Sequence, residues 1–144
     1  MAAGIYMEFY DTHRLVKNED LNHHGTLFAG RMTEWFVESC FITVANEYGY
    51  PENLVCLKVH EVKFTKPIKK GDIIKIKSAI VYAGKTSLTV YGKVIRDGSI
   101  IVEGFLTFVC VDENGAKMPH NIVLEEPTNE EDIKILEQVK NLRK

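Results

Sequence analysis

The sequence is short of the residues that mark several classes of protein. Its three cysteines, Cys40, Cys56 and Cys110, form no Cys-x-x-Cys pair, which argues against the common zinc and dithiol redox motifs. No apolar run approaches the roughly 20 residues of a membrane-spanning helix. The N-terminus lacks a basic stretch followed by a long apolar one, so no secretory signal is expected. These absences predict reduced, mostly buried thiols in a soluble, cytoplasmic protein.

Net charge is also nearly absent. The 18 basic and 20 acidic residues leave a formal charge of -2, which gives no bulk attraction to nucleic acid or to an anionic membrane. Hydrophobic residues make up 45% of the 144 residues, enough to bury a core. No repeat, low-complexity tract or long linker divides the chain. We therefore expect one domain over residues 1–144, with neither nucleic acid nor membrane as a partner.

A long helix is predicted in the first half of the chain. From Leu27 to Tyr48, apolar residues recur at helical spacing and spread beyond one stripe, which predicts that most of this helix is buried. Residues 5–16 alternate in polarity and predict a strand. A polar loop over residues 17–26 separates the two elements.

Four β-rich runs follow the helix. Each alternates in polarity and ends at turn residues, and the runs cover residues 54–68, 72–84, 86–98 and 99–115. The Asp97-Gly98 pair between the last two runs predicts a hairpin. These runs predict an antiparallel sheet.

The C-terminal part predicts one more helix. Thr128, with Glu131 three residues later, forms a capping-box pattern for a helix over about residues 128–142. The fold class is therefore α+β, with an antiparallel sheet wrapped around one long central helix and short elements at the periphery.

Four motifs in order carry a family resemblance. They read NHHGTLFAG (residues 22–30), FTKPIKKGD (64–72), VYAGKTS (81–87) and FLTFVCVDENG (105–115). Over about residues 10–120 the sequence resembles the hotdog-fold acyl-CoA thioesterases, and within them the acyl-CoA hydrolase branch. The resemblance implies a homodimer in which the sheets of two subunits join edge to edge; tetramers or hexamers are left open. It also implies that thioester hydrolysis takes place at the dimer interface. It implies that no metal or redox cofactor is needed, and that CoA takes part only as a portion of the substrate.

The loop that opens the helix has features that thioester hydrolysis needs. N–H groups at a helix N-terminus stabilise negative charge on the thioester oxygen, and Ala29 and Gly30 allow close approach. The alternative is that these small residues only permit tight packing; the resemblance favours the first, because the family's oxyanion donor falls at or beside Ala29. Asn22 either orients water or the thioester oxygen, as the resemblance implies, or stabilises a turn. His23 is a secondary acid–base candidate.

The expected helix carboxylate is out of register. The resemblance places the family's acid at position 37, where this sequence has Val37, which can neither take a proton nor attack. Glu38 adjoins that position, Glu34 lies one turn earlier, and both share a polar stripe with Arg31. The stripe is either catalytic or a solvated edge with an Arg31–Glu34 pair. We predict Glu38, ahead of Glu34, as the residue that activates water.

The segment Gly84, Lys85, Thr86 and Ser87 resembles the one with which relatives hold CoA, and Lys85 would pair with a phosphate. The same four residues also suit a plain hairpin turn. The predicted function is hydrolysis of an acyl-CoA thioester to free acid and CoA. The alternatives are a non-catalytic acyl-CoA binding or sensing protein, which Val37 favours, and, at a lower rank, a hydratase or dehydratase.

Overall fold

The computed structural model describes residues 3–142, and its main element is a five-stranded antiparallel sheet. The strands are β1 (Ala3–Ile5), β2 (Tyr10–Leu15), β3 (Leu54–Phe64), β4 (Ile73–Ala83), β5 (Ser87–Arg96), β6 (Ser99–Cys110) and β7 (Ile122–Leu124). The sheet order is β2-β4-β5-β6-β3. The helices are α1 (Ala29–Tyr48) and α2 (Glu130–Leu142), with 3-10 turns at Asn18–Asp20 and Pro51–Asn53. The predicted α+β class and its four β-rich runs are confirmed.

Helix α1 packs on one face of the sheet and builds the main core with β4, β5 and β6. The buried helix side chains are Met32, Trp35, Phe36, Ser39, Cys40, Thr43 and Val44. The opposite side of α1 stays open along an exposed row spaced four residues apart, formed by Glu34, Glu38, Ile42 and Asn46. The prediction that most of the helix is buried is therefore wrong for this chain, because a sheet packed on one side covers only part of a helix.

The N-terminal strand predicted over residues 5–16 corresponds to β2 (Tyr10–Leu15), while Ile5 ends the separate strand β1 and residues 6–9 form no strand. β2 runs antiparallel to β4, whereas β1 pairs in parallel with β7. β1 and β7 have three residues each, too few for a polarity pattern to show. Their pairing joins opposite ends of the described chain, which local sequence signals do not reveal.

The predicted hairpin between β5 and β6 is confirmed. Asp97 and Gly98 take φ values of 49° and 80°, the left-handed conformation that a two-residue hairpin turn requires at both positions. The turn therefore follows directly from the Asp-Gly pair.

Helix α2 packs on the outer face of the sheet through Ile135 and Val139. Its predicted cap at Thr128 is wrong by one residue: the Asp132 backbone N–H donates to Oδ1 of Asn129 at 2.8 Å, so Asn129 is the N-cap. Asn and Thr both cap well, so the choice between adjacent candidates depends on where the chain turns into the helix. Neither α1 nor α2 combines the length and apolar character that a membrane-spanning helix needs.

Strand β3 forms a free edge of the sheet. Within residues 3–142 it pairs with β6 alone, and two bulges interrupt that pairing. Its large apolar side chains are about half exposed, namely Val55, Leu57, Val59 and Phe64. An exposed apolar edge strand is a template for pairing with another strand, so the predicted edge-to-edge homodimer has a suitable surface here.

Candidate active site

The loop before α1 is a tight turn held by its own backbone. The Asn22 N–H donates to the Thr26 carbonyl oxygen at 2.7 Å, and Gly25 takes a φ of 80°, which favours glycine. The Leu27 N–H donates to the Ile68 carbonyl oxygen at 2.7 Å, which ties the loop to the connection between β3 and β4. The predicted loop residues therefore stand on a fixed piece of backbone.

The side chain of Asn22 stabilises this turn. Its Oδ1 accepts the backbone N–H groups of His24 at 2.9 Å and Thr26 at 3.2 Å, and its Nδ2 lies 3.1 Å from the Thr26 hydroxyl. These bonds match the turn-stabilising alternative. Asn22 also lines a cavity, and one of its two amide N–H donors has a hydrogen-bond partner among the described residues. The turn therefore fixes Asn22 while leaving a donor for a ligand.

The N-terminus of α1 has no side-chain cap. Phe28 occupies the N-cap position in an extended conformation and makes no capping hydrogen bond. The first backbone bond of the helix runs from the Met32 N–H to the Phe28 carbonyl oxygen at 3.0 Å. Over residues 3–142, the N–H groups of Ala29, Gly30 and Arg31 find no acceptor. Three donors and the positive end of a 20-residue helix are thus open to a ligand.

A cavity of about 270 Å³ lies beside this helix end. Asn22, Leu27, Ala29 and Met32 form one wall, and residues 64–68, from the end of β3 and the connection after it, form the other. The structure thus brings together two motifs that are far apart in the sequence, the helix-opening loop and the segment 64–72. Most of the lining is apolar, and its polar side chains are Asn22 on the first wall and Thr65 and Lys66 on the second.

Gly30 lies against the ring of its neighbour Phe28. A Cβ built on Gly30 would lie 2.6 Å from Cε2 of Phe28, so the Phe28 ring would have to move to admit any side chain. This contact is with Phe28 and not with the sheet, so it does not test the alternative that small residues let the helix start pack against the sheet. The Phe28 ring itself is 55% exposed, which is unusual for an aromatic side chain at the start of a core helix.

The two candidate carboxylates lie on the open side of α1. The Glu34 side chain is 68% exposed and the Glu38 side chain 58% exposed. Glu38 Oε1 accepts from Arg14 Nη2 at 2.9 Å, so Glu38 is held toward β2, at the far edge of the sheet from β3. Since successive helix residues turn by about 100°, Val37 falls within about 20° of the direction of Gly30. The side of α1 on which Gly30 lies carries Val37, with no acid in register.

The adjacent histidines lie at the tip of the loop. His23 and His24 are both exposed, and their ring centroids are 3.9 Å apart. Neither lines the cavity beside α1. For His23 to transfer a proton, the ligand would have to reach the outside of the turn.

The segment 84–87 lies at the other end of the molecule. The Cys110 N–H, at the end of β6, donates to the Thr86 carbonyl oxygen. The His120 N–H, in the segment after β6, donates to the Lys85 carbonyl oxygen. Cys110 pairs with Leu54, next to the end of α1. Because a 20-residue helix is about 30 Å long, these residues lie about that far from Ala29 in the same chain.

Metal-binding residues do not converge in the described part of the chain, where no three His, Cys, Asp or Glu side chains come together. Two of the three free thiols, Cys40 and Cys110, are buried as predicted, and burial raises the pKa of the Cys40 thiol. Cys56 departs from the prediction because it lies exposed on the edge strand β3.

Comparison with known proteins decides the family. The family model of the thioesterase superfamily matches residues 24–102, which include the helix-opening loop from His24 onward, α1 and the segment 64–72. The chain belongs to the thioesterase superfamily. The uncharacterized acyl-CoA thioester hydrolase YkhA of Bacillus subtilis (strain 168) is 32% identical over 120 residues, covering 79% of this chain and 67% of that protein.

Two solved thioesterase structures resemble this chain over nearly its whole length. An acyl-CoA hydrolase from Staphylococcus aureus, solved in complex with butyryl-CoA and CoA, has a TM-score of 0.84 and 25% identity, covering 98% of this chain and 88% of its own. An apo-hexameric acyl-CoA thioesterase has a TM-score of 0.87 and 26% identity, covering 97% of this chain and 92% of its own. The predicted family, the hotdog fold and the thioester-hydrolase class are thereby confirmed.

Sequence reasoning missed three features in and around this candidate site. Residues 64–68 form a wall of the cavity, whereas the sequence motif that contains them indicates only the family resemblance. Arg14 binds Glu38, and buried Asp20 lies 3.7 Å from the Arg31 guanidinium. A charged residue in a strand or loop gives no local signal of its partner, so these pairs could not be found before the fold was known.

Proposed function

We propose that this thioesterase-superfamily protein hydrolyses acyl-CoA thioesters to a free acid and CoA. The observation that carries the proposal is the uncapped N-terminus of α1, where the N–H groups of Ala29 and Gly30 have no acceptor among the described residues and Ala29 lines the cavity. The relatives named as acyl-CoA hydrolases, one of them solved with butyryl-CoA, support the choice of substrate.

The helix end suits the oxygen that becomes negative during the reaction. When water attacks the thioester carbonyl carbon, the carbonyl oxygen takes up negative charge, and fixed N–H donors stabilise it without reorganising. The amides of Ala29 and Gly30 are such donors, and the helix dipole adds positive potential at the same place. Collapse of the intermediate then expels the CoA thiolate, which takes a proton, and leaves the carboxylic acid product.

A helix carboxylate is proposed to accept the proton of the attacking water. Glu38 adjoins the position expected for the acid but is bound by Arg14 at 2.9 Å. Glu34 lies one turn nearer the helix end, and its contact with Arg31 Nη1 is longer, at 4.0 Å. The proximity to the donors supports Glu34, whereas the sequence register supports Glu38, and a direct comparison of the two decides between them.

Asn22 and His23 complete the proposed set. Asn22 lines the cavity, and its remaining N–H donor is suited to hold water or the thioester oxygen. His23, on the outside of the turn, is kept as the proton donor to the leaving thiolate. No metal or redox group takes part in this scheme.

Two copies of the chain are proposed to form each site. Antiparallel pairing of two β3 edges would bring the end that carries Gly84, Lys85, Thr86 and Ser87 toward the α1 N-terminus of the other copy. Lys85 is then available to pair with a CoA phosphate, and Thr86 or Ser87 to bond it. In a single chain the length of α1 keeps these groups apart.

The experiment is release of CoA from a panel of acyl-CoAs, butyryl-CoA included, followed with a free-thiol reagent. A substrate-free blank is required, because exposed Cys56 reacts with the same reagent. We expect thiol release well above the blank, and its loss in Glu34→Gln or Glu38→Gln. Binding of acyl-CoA with no release would overturn the hydrolase and establish a non-catalytic acyl-CoA binding protein.

That second function has an observation of its own. Val37 stands where the acid is expected, and both nearby glutamates have arginine partners. A protein that only binds or senses acyl-CoA needs the donors of the helix end and the CoA contacts, but no base. Isothermal titration with CoA and with butyryl-CoA, run beside the thiol assay, separates the two functions.

A further inference from the structure

Asp20 is a buried carboxylate directly before the loop of the proposed site. Its side chain is 4% exposed, and its Oδ2 accepts the Lys17 backbone N–H at 2.9 Å. Its Oδ1 lies 3.7 Å from Nε of Arg31, in the first turn of α1. Aspartate is rarely buried without a charged partner, so this pair accounts for the position of Asp20.

The pair connects the beginning of the loop with the beginning of the helix. The Asp20 carbonyl oxygen accepts the Phe28 N–H at 2.9 Å, which closes the base of the loop that holds Asn22. The Asp20 carboxylate holds Arg31 from the other side. Arg31 in turn reaches Glu34, with 4.0 Å between Nη1 and Oε1. The buried Asp20 residue is therefore linked to the loop and the start of α1, and through Arg31 to the candidate base Glu34.

We infer that Asp20 is a positioning residue of the site: through Arg31 it fixes the loop of Asn22 against the uncapped end of α1. The catalytic consequence rests on the proposed function. Asparagine at position 20 would keep an acceptor for the Lys17 N–H and lose the charge that holds Arg31. We assign the positioning role to the negative charge of Asp20 and not to its hydrogen bond with the Lys17 N–H.

The test compares Asp20→Asn, Arg31→Gln and the double variant, with butyryl-CoA as substrate. Misplacement of reacting groups lowers kcat, so we expect kcat to fall roughly tenfold to a hundredfold in each single variant with a much smaller change in KM. The double variant is expected to lose no more than the worse single one, because both changes break the same contact. Arg31→Gln leaves the buried Asp20 carboxylate without its charged partner, so kcat is compared at equal folded fraction in all three variants.

The matched control is Asp11→Asn. Asp11 pairs with Lys77 at 2.9 Å on β2 and β4, and it does not line the cavity beside α1. We expect its kcat to equal that of the wild type. Wild-type kcat in Asp20→Asn, or a loss that disappears when only the folded fraction is counted, would overturn the inference.

A second measurement keeps the inference separate from the proposed function. Amide hydrogen exchange of residues 21–28 is expected to speed up in Asp20→Asn and to stay unchanged in Asp11→Asn, with α2 as the internal reference. If the wild type releases no CoA, the proposed function fails, while faster exchange confined to the loop still supports the role of Asp20. Unchanged exchange in Asp20→Asn overturns that role whatever the activity.

Discussion

The two helices of this protein begin in opposite ways. At α2, Asn129 caps the first turn, and Glu130, Glu131 and Asp132 place negative charge at the positive end of the helix dipole. At α1, no side chain caps the helix and no acidic residue lies in the first turn. The start of α2 has a side-chain cap and acidic residues of its own, whereas the start of α1 has neither.

The difference separates a helix start that is capped from one that is open. A good N-cap contributes about 1 kcal/mol to the free energy of unfolding, and the chain forgoes this at the helix that forms its main core. The uncapped end of α1 opens on a cavity, next to glycine and a fixed loop, while α2 packs Ile135 and Val139 on the outer face of the sheet. The proposed oxyanion site rests on these open donors beside the cavity.

The largest expected effect comes from making α1 begin like α2. Phe28→Asp supplies a carboxylate that caps the free N–H groups of α1. We expect kcat for butyryl-CoA to fall about a hundredfold to a thousandfold, the usual loss of an oxyanion donor, while the free energy of unfolding rises by roughly 0.5 kcal/mol or more. Thiol release and thermal unfolding measure the two.

Phe28→Ala is the control for that change, since it removes the same exposed ring without adding a cap. Equal activity in Phe28→Asp and Phe28→Ala would show that the free amides do not hold the reacting oxygen.

The acids further along α1 are expected to do chemistry, unlike those at the start of α2. Loss of a general base lowers kcat about a hundredfold or more, so either Glu34→Gln or Glu38→Gln should show this loss. Both glutamates are exposed, so the free energy of unfolding should change by less than about 1 kcal/mol. Steady-state kinetics on both variants decides which glutamate acts, and full activity in both would contradict the hydrolytic scheme.

Removing the cap of α2 should affect stability alone. Asn129→Ala leaves the Asp132 N–H without its side-chain acceptor, and we expect it to lower the free energy of unfolding by about 1 kcal/mol. Urea unfolding followed by circular dichroism measures the change. A comparable fall in kcat would mean that the two helix ends are not separate in function.

The smallest effect is expected from the acids in the first turn of α2. Glu130→Gln weakens the interaction with the helix dipole by roughly 0.3 kcal/mol, and high salt should reduce the difference from wild type. Urea unfolding at low and high ionic strength tests this. A salt-independent loss would point to a specific contact of Glu130 rather than to the dipole.

Local signals in the sequence were sufficient for most of the fold. Helical spacing located α1, alternation located the four long strands, and the Asp97-Gly98 pair located their last hairpin. These signals do not reveal β1 and β7, because such short strands are recognised only by their pairing with each other. The cap of α2 was missed by one residue for a related reason, since neighbouring residues competed for the same role.

The candidate site was predictable in part. Asn22, Ala29 and Gly30 were singled out from the loop, and they do lie together at the helix end. The far wall of the cavity and the buried Asp20 were not predicted, because their roles depend on residues distant in the sequence.

The sequence by itself determined that a long helix begins after a tight polar turn and that Val37 occupies the position of the expected acid. Periodicity, turn chemistry and side-chain identity are local properties, and they can be read without a fold. Only the tertiary structure decided which charges meet: Arg14 binds Glu38, Asp20 reaches Arg31, and the segment 64–68 closes the cavity. Electrostatic pairing depends on distance in space, which the chain sets only after β2 and the β3–β4 connection have packed beside α1.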